Sequence, residues 1–161
     1  MSPTPVAYPG QNVKAEDLNG LVQPHVQATV GSFVVPTGAA LYTAVAFTGT
    51  LTGNHSGMWV PAQSTRLVAP SAGVYLVHGG ATWPGALNTA DARGEIRIGG
   101  GGVAPGTRVS TQRGSSGGMQ SVATGTVALP AGGYIEIFFN TQSGSNITIS
   151  ATLGITRISA T

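Results

Sequence analysis

A chain of 161 residues without cysteine can bury one core without covalent staples, and it excludes both a disulfide framework and a cysteine zinc site. Seven basic and five acidic residues leave a formal net charge of +2. Arg66, Arg93, Arg97, Arg108, Arg113 and Arg157 are scattered, which argues against a basic nucleic-acid surface. Charged residues make up only 7%, against about a quarter in an ordinary soluble domain. Ser, Thr, Gly and Gln must carry solubility instead, a surface that suits a protein held on a larger body better than a free enzyme. No run has the length and apolarity of a membrane span, and the N-terminus lacks a signal-peptide pattern.

Residues 1–10 (MSPTPVAYPG) hold three prolines and predict an extended, non-helical arm. Residues 11–24 (QNVKAEDLNGLVQP) are the helical candidate. Leu18, Leu21 and Val22 fall on one face at i, i+3, i+4 spacing, Glu16 and Asp17 favour an early turn, and Pro24 ends the element. A helix of two turns frays alone in water, so this arm is expected to dock on a neighbour or a particle through those three side chains. The chain thus divides into an arm over 1–24 and a β domain over 25–161.

From His25 onward the pattern is strand after strand, predicted at 25–30, 32–35, 43–48, 58–61, 66–69, 74–83, 92–99, 108–111, 119–129, 134–140 and 147–158. The last alternates well, with Ile147, Ile149, Ala151, Leu153 and Ile155 on one face and threonines and a serine on the other. In RLVAPSAGVYLV (66–77), Pro70 stops one strand and Gly73 is expected to take a positive φ in the turn before the next. That next strand is apolar on both faces, Val74 and Leu76 on one and Tyr75 and Val77 on the other. In 134–140, Ile135, Ile137 and Phe139 share a face, while Tyr134 and Phe138 flank Glu136 on the opposite one. Two strands apolar on both sides exceed what one solvated sandwich needs, so the surplus predicts an interface between copies. Its candidate residues are Tyr75, Val77, Tyr134, Glu136 and Phe138.

The run A-P-x-x-G-x-Y between two strands resembles the C1q/TNF-like jelly-roll family. Further pieces follow in the family's order: TAVAF with Phe47, ARGEIRIGG at 92–100, VALPAGGYIEIFF at 127–139 and the closing ITRI. Gly133 stands where the family usually has Asp, so any role of that carboxylate does not transfer. The resemblance implies an all-β, antiparallel jelly-roll sandwich that forms a homotrimer. Separately, GQNVKAEDLNGL near the N-terminus resembles a segment common in tail and virion proteins of bacteriophages.

Chemistry-bearing constellations are sparse. His25, His55 and His78 have no metal-ligand spacing, so neither a metal nor another cofactor is expected. Glu95 and Glu136 each sit inside a strand without a second carboxylate nearby, and no G-x-S-x-G elbow occurs, so an enzyme is not expected. The four glycines at 99–102 lack the Lys-Ser/Thr and helix of a phosphate loop and predict a hairpin turn. Trp59 and Trp83 stack on sugars only if exposed. The expected function is therefore a structural virion protein: a trimeric capsid decoration or head-fibre protein at the particle surface, whose partners are the major capsid protein or tail proteins. No repeat or heptad shaft supports a long fibre. The alternative is a tail-associated adhesin that recognises a host surface glycan or protein. Neither nucleic acid nor membrane is an expected partner.

Overall fold

The computed structural model describes residues 23–38, 42–53, 56–84, 92–104, 109–111, 119–142 and 144–160. The arm with Leu18, Leu21 and Val22 lies outside them. Among the described residues, eleven strands follow one another: β1 His25–Val35, β2 Thr43–Ala44, β3 Leu51–Gly53, β4 Leu67–Val68, β5 Gly73–Trp83, β6 Ala92–Ile98, β7 Gly102–Val103, β8 Val109–Thr111, β9 Met119–Leu129, β10 Tyr134–Thr141 and β11 Ile147–Ala160. They form two sheets. Sheet A runs β3-β1-β11-β5-β9; sheet B runs β2-β10-β6-β7, with β4 on β10 and β8 on β6. Every ladder between these strands is antiparallel. The architecture is the expected antiparallel jelly-roll sandwich.

Period-two alternation builds the core. From sheet A it takes Val26, Ala28 and Val30 of β1, Tyr75, Val77, Ala81 and Trp83 of β5, and the alternating row from Ile147 to Ile155 of β11. Sheet B answers with Ile96 of β6 and Ile135, Ile137 and Phe139 of β10. Trp83 meets Phe139 edge-on, with ring centroids 5.7 Å apart, a geometry that the ring quadrupoles favour. Tyr75 and Val77 are 0% exposed in the single chain. They are core residues, and as interface candidates they are corrected: they have no surface left to offer a partner.

Several boundaries differ from the expected ones for identifiable reasons. The strands expected at 25–30 and 32–35 are one strand, because a bulge between Val30 and Phe33 absorbs an extra residue against Ala151 and Ile149 of β11. The strand expected at 58–61 is replaced by 3₁₀ turns at Ser56–Met58 and Pro61–Gln63. Pro61 lacks a ladder donor but suits the first position of such a turn, and Met58 is fully buried as a plug. Of 43–48 only Thr43–Ala44 joins a ladder, although Val45 and Phe47 still fill the core. The exposed strand β3 gave no apolar signal to read. At the glycine run, Gly99 and Gly100 both take positive φ, as the expected hairpin turn requires.

The turn between β4 and β5 is not a hairpin but a corner, since β4 belongs to sheet B and β5 to sheet A. The β9–β10 connection makes the same crossing beside it. The two corners bind each other: Ala69 N–H donates to the Gly133 carbonyl at 2.7 Å, and Gly132 N–H to the Ala69 carbonyl at 2.9 Å. Tyr75 braces its own corner by donating its hydroxyl to the Ser71 carbonyl at 2.7 Å. Gly73 does not have the expected positive φ. Its lack of a side chain matters for another reason, because a Cβ there would lie 2.5 Å from the Ser159 carbonyl oxygen and 2.8 Å from Arg157 Nε. Gly73→Val is therefore expected to destabilise the fold by about 1–3 kcal/mol through overpacking, read as a lowered melting temperature. An unchanged melting temperature would contradict the close approach.

Candidate functional site

The two sheets each turn one face to the core and one outward. Among the described residues no three His, Asp or Glu side chains gather as a metal requires, and no helix is long and apolar enough to cross a membrane.

The outer face of sheet B carries an ionic and aromatic cluster. Cross-strand register sets Glu136 opposite Arg97 and Phe138 opposite Glu95, while β4 brings Arg66 alongside β10. Arg97 Nε donates to Glu95 Oε1 at 2.6 Å, and its guanidinium lies 4.2 Å from the Phe138 ring centroid and 5.1 Å from that of Tyr42. Glu136 Oε1 accepts from the Thr65 hydroxyl at 2.6 Å and from Arg66 Nε at 3.5 Å. The Arg66 guanidinium in turn covers the Tyr134 ring at 4.2 Å. The carboxylates are enclosed, Glu95 at 1% and Glu136 at 6% exposure. Of the remaining interface candidates, Tyr134, Glu136 and Phe138 are thus brought together, and each is engaged by an arginine of its own chain. The sequence marks the two glutamates but not their partners Arg66, Arg97 and Thr65, nor Tyr42 beside Arg97. Glu95 and Arg97, two apart on one strand, point the same way, and that spacing was the available signal.

The outer face of sheet A is different in kind. Its five strands together contain one charged residue, Arg157. That side chain turns to the end of the sandwich, where Nη2 donates to the Ala72 carbonyl at 3.1 Å. The register lays out rows across the face: His25, Thr156, Leu76 and Thr126; then Gln27, Gly154, His78 and Thr124; then Thr29, Thr152 and Gly80. Val74, Leu76 and His78 are half-buried. His78 lies flat on the sheet, its ring occupying the space where a Gly154 side chain would stand, with Nε2 2.3 Å from that position. Burial holds the imidazole pKa below its ordinary value by penalising the charged form. So β5 is indeed apolar on both sides, but the pair left outside is Val74 and Leu76.

The fold has counterparts among solved structures. The globular domain of a zebrafish complement 1qA protein superposes with a TM-score of 0.56 at 11% identity, over 81% of this chain and 94% of that one. The Eiger TNF of S. frugiperda superposes with a TM-score of 0.55 at 10% identity, over 87% and 94%. The fold is the C1q/TNF-like jelly roll. No family model and no curated protein matches the sequence, so the likeness lies in the backbone path.

In this jelly roll the Glu95–Arg97 pair is a strong constraint, because removing Arg97 takes a short ionic bond from a carboxylate that is 1% exposed. Arg97→Met is expected to destabilise by about 3–5 kcal/mol, and the double change Glu95→Leu with Arg97→Met to recover most of that loss. Urea melts of Arg97→Met, Glu95→Leu, the double variant and the parent form the cycle. Equal destabilisation by the single and double variants would contradict the pairing.

Proposed function

We propose that this chain is a structural protein of a tailed bacteriophage particle, a trimeric capsid decoration or head-fibre protein that docks through its N-terminal arm. The observation that carries the assembly half is the segregation of charge between the two outer faces. Sheet B closes its carboxylates with its own arginines, whereas sheet A exposes Val74, Leu76, His78 and small polar side chains among which no charge stands. Burying such a face strands no ion, so the desolvation penalty that opposes association is small. The interface proposed here is therefore the outer face of sheet A, closed by neighbouring copies of this chain. The C1q/TNF-like fold supports three copies, as the sequence resemblance implied.

The particle half rests on the N-terminal segment, whose GQNVKAEDLNGL run resembles a phage virion segment, and on the low charge of the whole chain. Three arms in one trimer would multiply weak attachment through effective concentration. The partners are then the major capsid protein or tail proteins, and the location is the virion surface. The adhesin reading has less behind it. Trp83 is buried in the core, and the rings of Tyr134 and Phe138 each lie under a guanidinium. A sugar needs a free aromatic face.

The sandwich begins slightly before His25, since the Pro24 carbonyl accepts from Arg157 N–H at 2.9 Å. Removing residues 1–22 is accordingly expected to leave a folded trimer by light scattering and to abolish attachment to particles prepared without this protein. Attachment of the truncated protein at full occupancy would contradict the arm's role. A monomer for the intact protein at micromolar concentration would contradict the trimer.

A further inference from the structure

We infer that His78 makes the association of copies over sheet A acid-labile: the imidazole is neutral in the assembled form, and its protonation separates the copies. The inference rests on the trimer reading and on the face proposed for it. β11 is the middle strand of sheet A, and β5 lies beside it. The ring of His78 reaches from β5 over Gly154 of β11, so it occupies the centre of the face rather than a rim. A copy laid on the face covers it.

Among the described residues, the surroundings provide nothing to balance a positive imidazole. On its own strand the neighbours on the same side are Leu76 and Gly80. From β11 they are Thr152, Gly154 and Thr156, from β9 Thr124 and Thr126, and from β1 Gln27. The other titratable group on the face is His25 on β1, exposed and one row away, with Nδ1 3.3 Å from the Gln23 carbonyl. Arg157 is the one guanidinium of the sheet, and it lies at the sandwich end on the Ala72 carbonyl. Glu95 and Glu136 stand on the opposite outer face, already held by Arg97 and Arg66. Among the described residues, no hydrogen-bond partner takes up the His78 ring nitrogens.

The sign of the effect follows from linkage. Burial in the single chain already lowers the His78 pKa from 6.5, and covering the ring further disfavours the charged form again. The assembled state then binds fewer protons than the separated one. Association is at full strength above the separated chain's pKa and is lost as pH falls through it. With one such histidine per copy, the association constant of a trimer drops by as much as about 10³ per pH unit once the groups titrate.

Sedimentation velocity of the full chain at several concentrations, from about pH 8 to about pH 5, tests this, with far-ultraviolet circular dichroism confirming that the chain stays folded. The expected result is a trimer at the upper end that separates into folded monomers at the lower end. His78→Gln should remain trimeric throughout, and His25→Gln should behave as the parent. A parent that stays trimeric across the range, or a His78→Gln variant that separates along the same curve, overturns the inference while leaving the trimer intact. A parent that is monomeric at the upper end overturns the trimer reading itself. If His78→Gln fails to assemble at any pH, the NMR titration of the His78 ring in the parent decides. A lower pKa at trimer-forming concentration than on dilution supports the inference, and an unchanged pKa overturns it.

Discussion

The bond from the Tyr75 hydroxyl to the Ser71 carbonyl does more for this molecule than its single contact suggests. It fixes a fully buried ring to the corner where the chain leaves sheet B for sheet A. With Tyr75 committed inward, β5 has no freedom of parity. A one-residue slip would turn Tyr75, Val77, Ala81 and Trp83 to the outside and force His78 and Thr82 into the core. The neighbouring corner at Pro130–Gly133 is hydrogen-bonded to the first, so both crossings between the sheets are set together. β11 and β9 pair with β5 along its length, and they inherit the same parity.

That parity decides what the outside of the protein offers. The strands of sheet A carry almost no charge, so the face turned outward by β5 and β11 is built from small polar side chains around Leu76 and His78. The strands of sheet B hold the ionic residues, and these are spent within the chain on each other and on three aromatic rings. A sandwich with one self-satisfied face and one uncharged face favours the proposed association through the second. Among the described residues the same absence of charge leaves an imidazole at the centre of the face without a counter-ion, and the proposed link between assembly and pH rests on that.

Much of this was legible in the residues. The alternation in 147–158 and the two-sided apolarity of 74–77 and 134–139 locate the central strands, and the A-P-x-x-G-x-Y run marks the corner. What alternation could not give was the choice of inner side, because Val74 and Leu76 are as apolar as Tyr75 and Val77. A corner bond formed by a tyrosine hydroxyl made that choice. The cluster on sheet B was half visible, since Glu95 and Arg97 share a strand face. Arg66 joins it only through the pairing of β4 with β10, a contact between residues far apart in sequence. Gly73 shows a third kind of gap: the glycine was rightly marked, but it is required by the closeness of Ser159 and Arg157, not by its dihedral. Short exposed strands such as β3 have no apolar pattern at all, so only the fold reveals them.

The central claim is that copies of this chain cover the outer face of sheet A and leave that of sheet B open. The chain has no cysteine, so a single introduced thiol reports on one position. Thr152→Cys places it on sheet A, and Val103→Cys places it beside Arg97 on sheet B; both positions are half-buried in the single chain. Labelling by a charged thiol reagent at micromolar protein should be slow at residue 152 and fast at residue 103, with the difference vanishing on dilution to monomers. Equal rates in the assembled protein, or protection at residue 103 instead, would contradict the account.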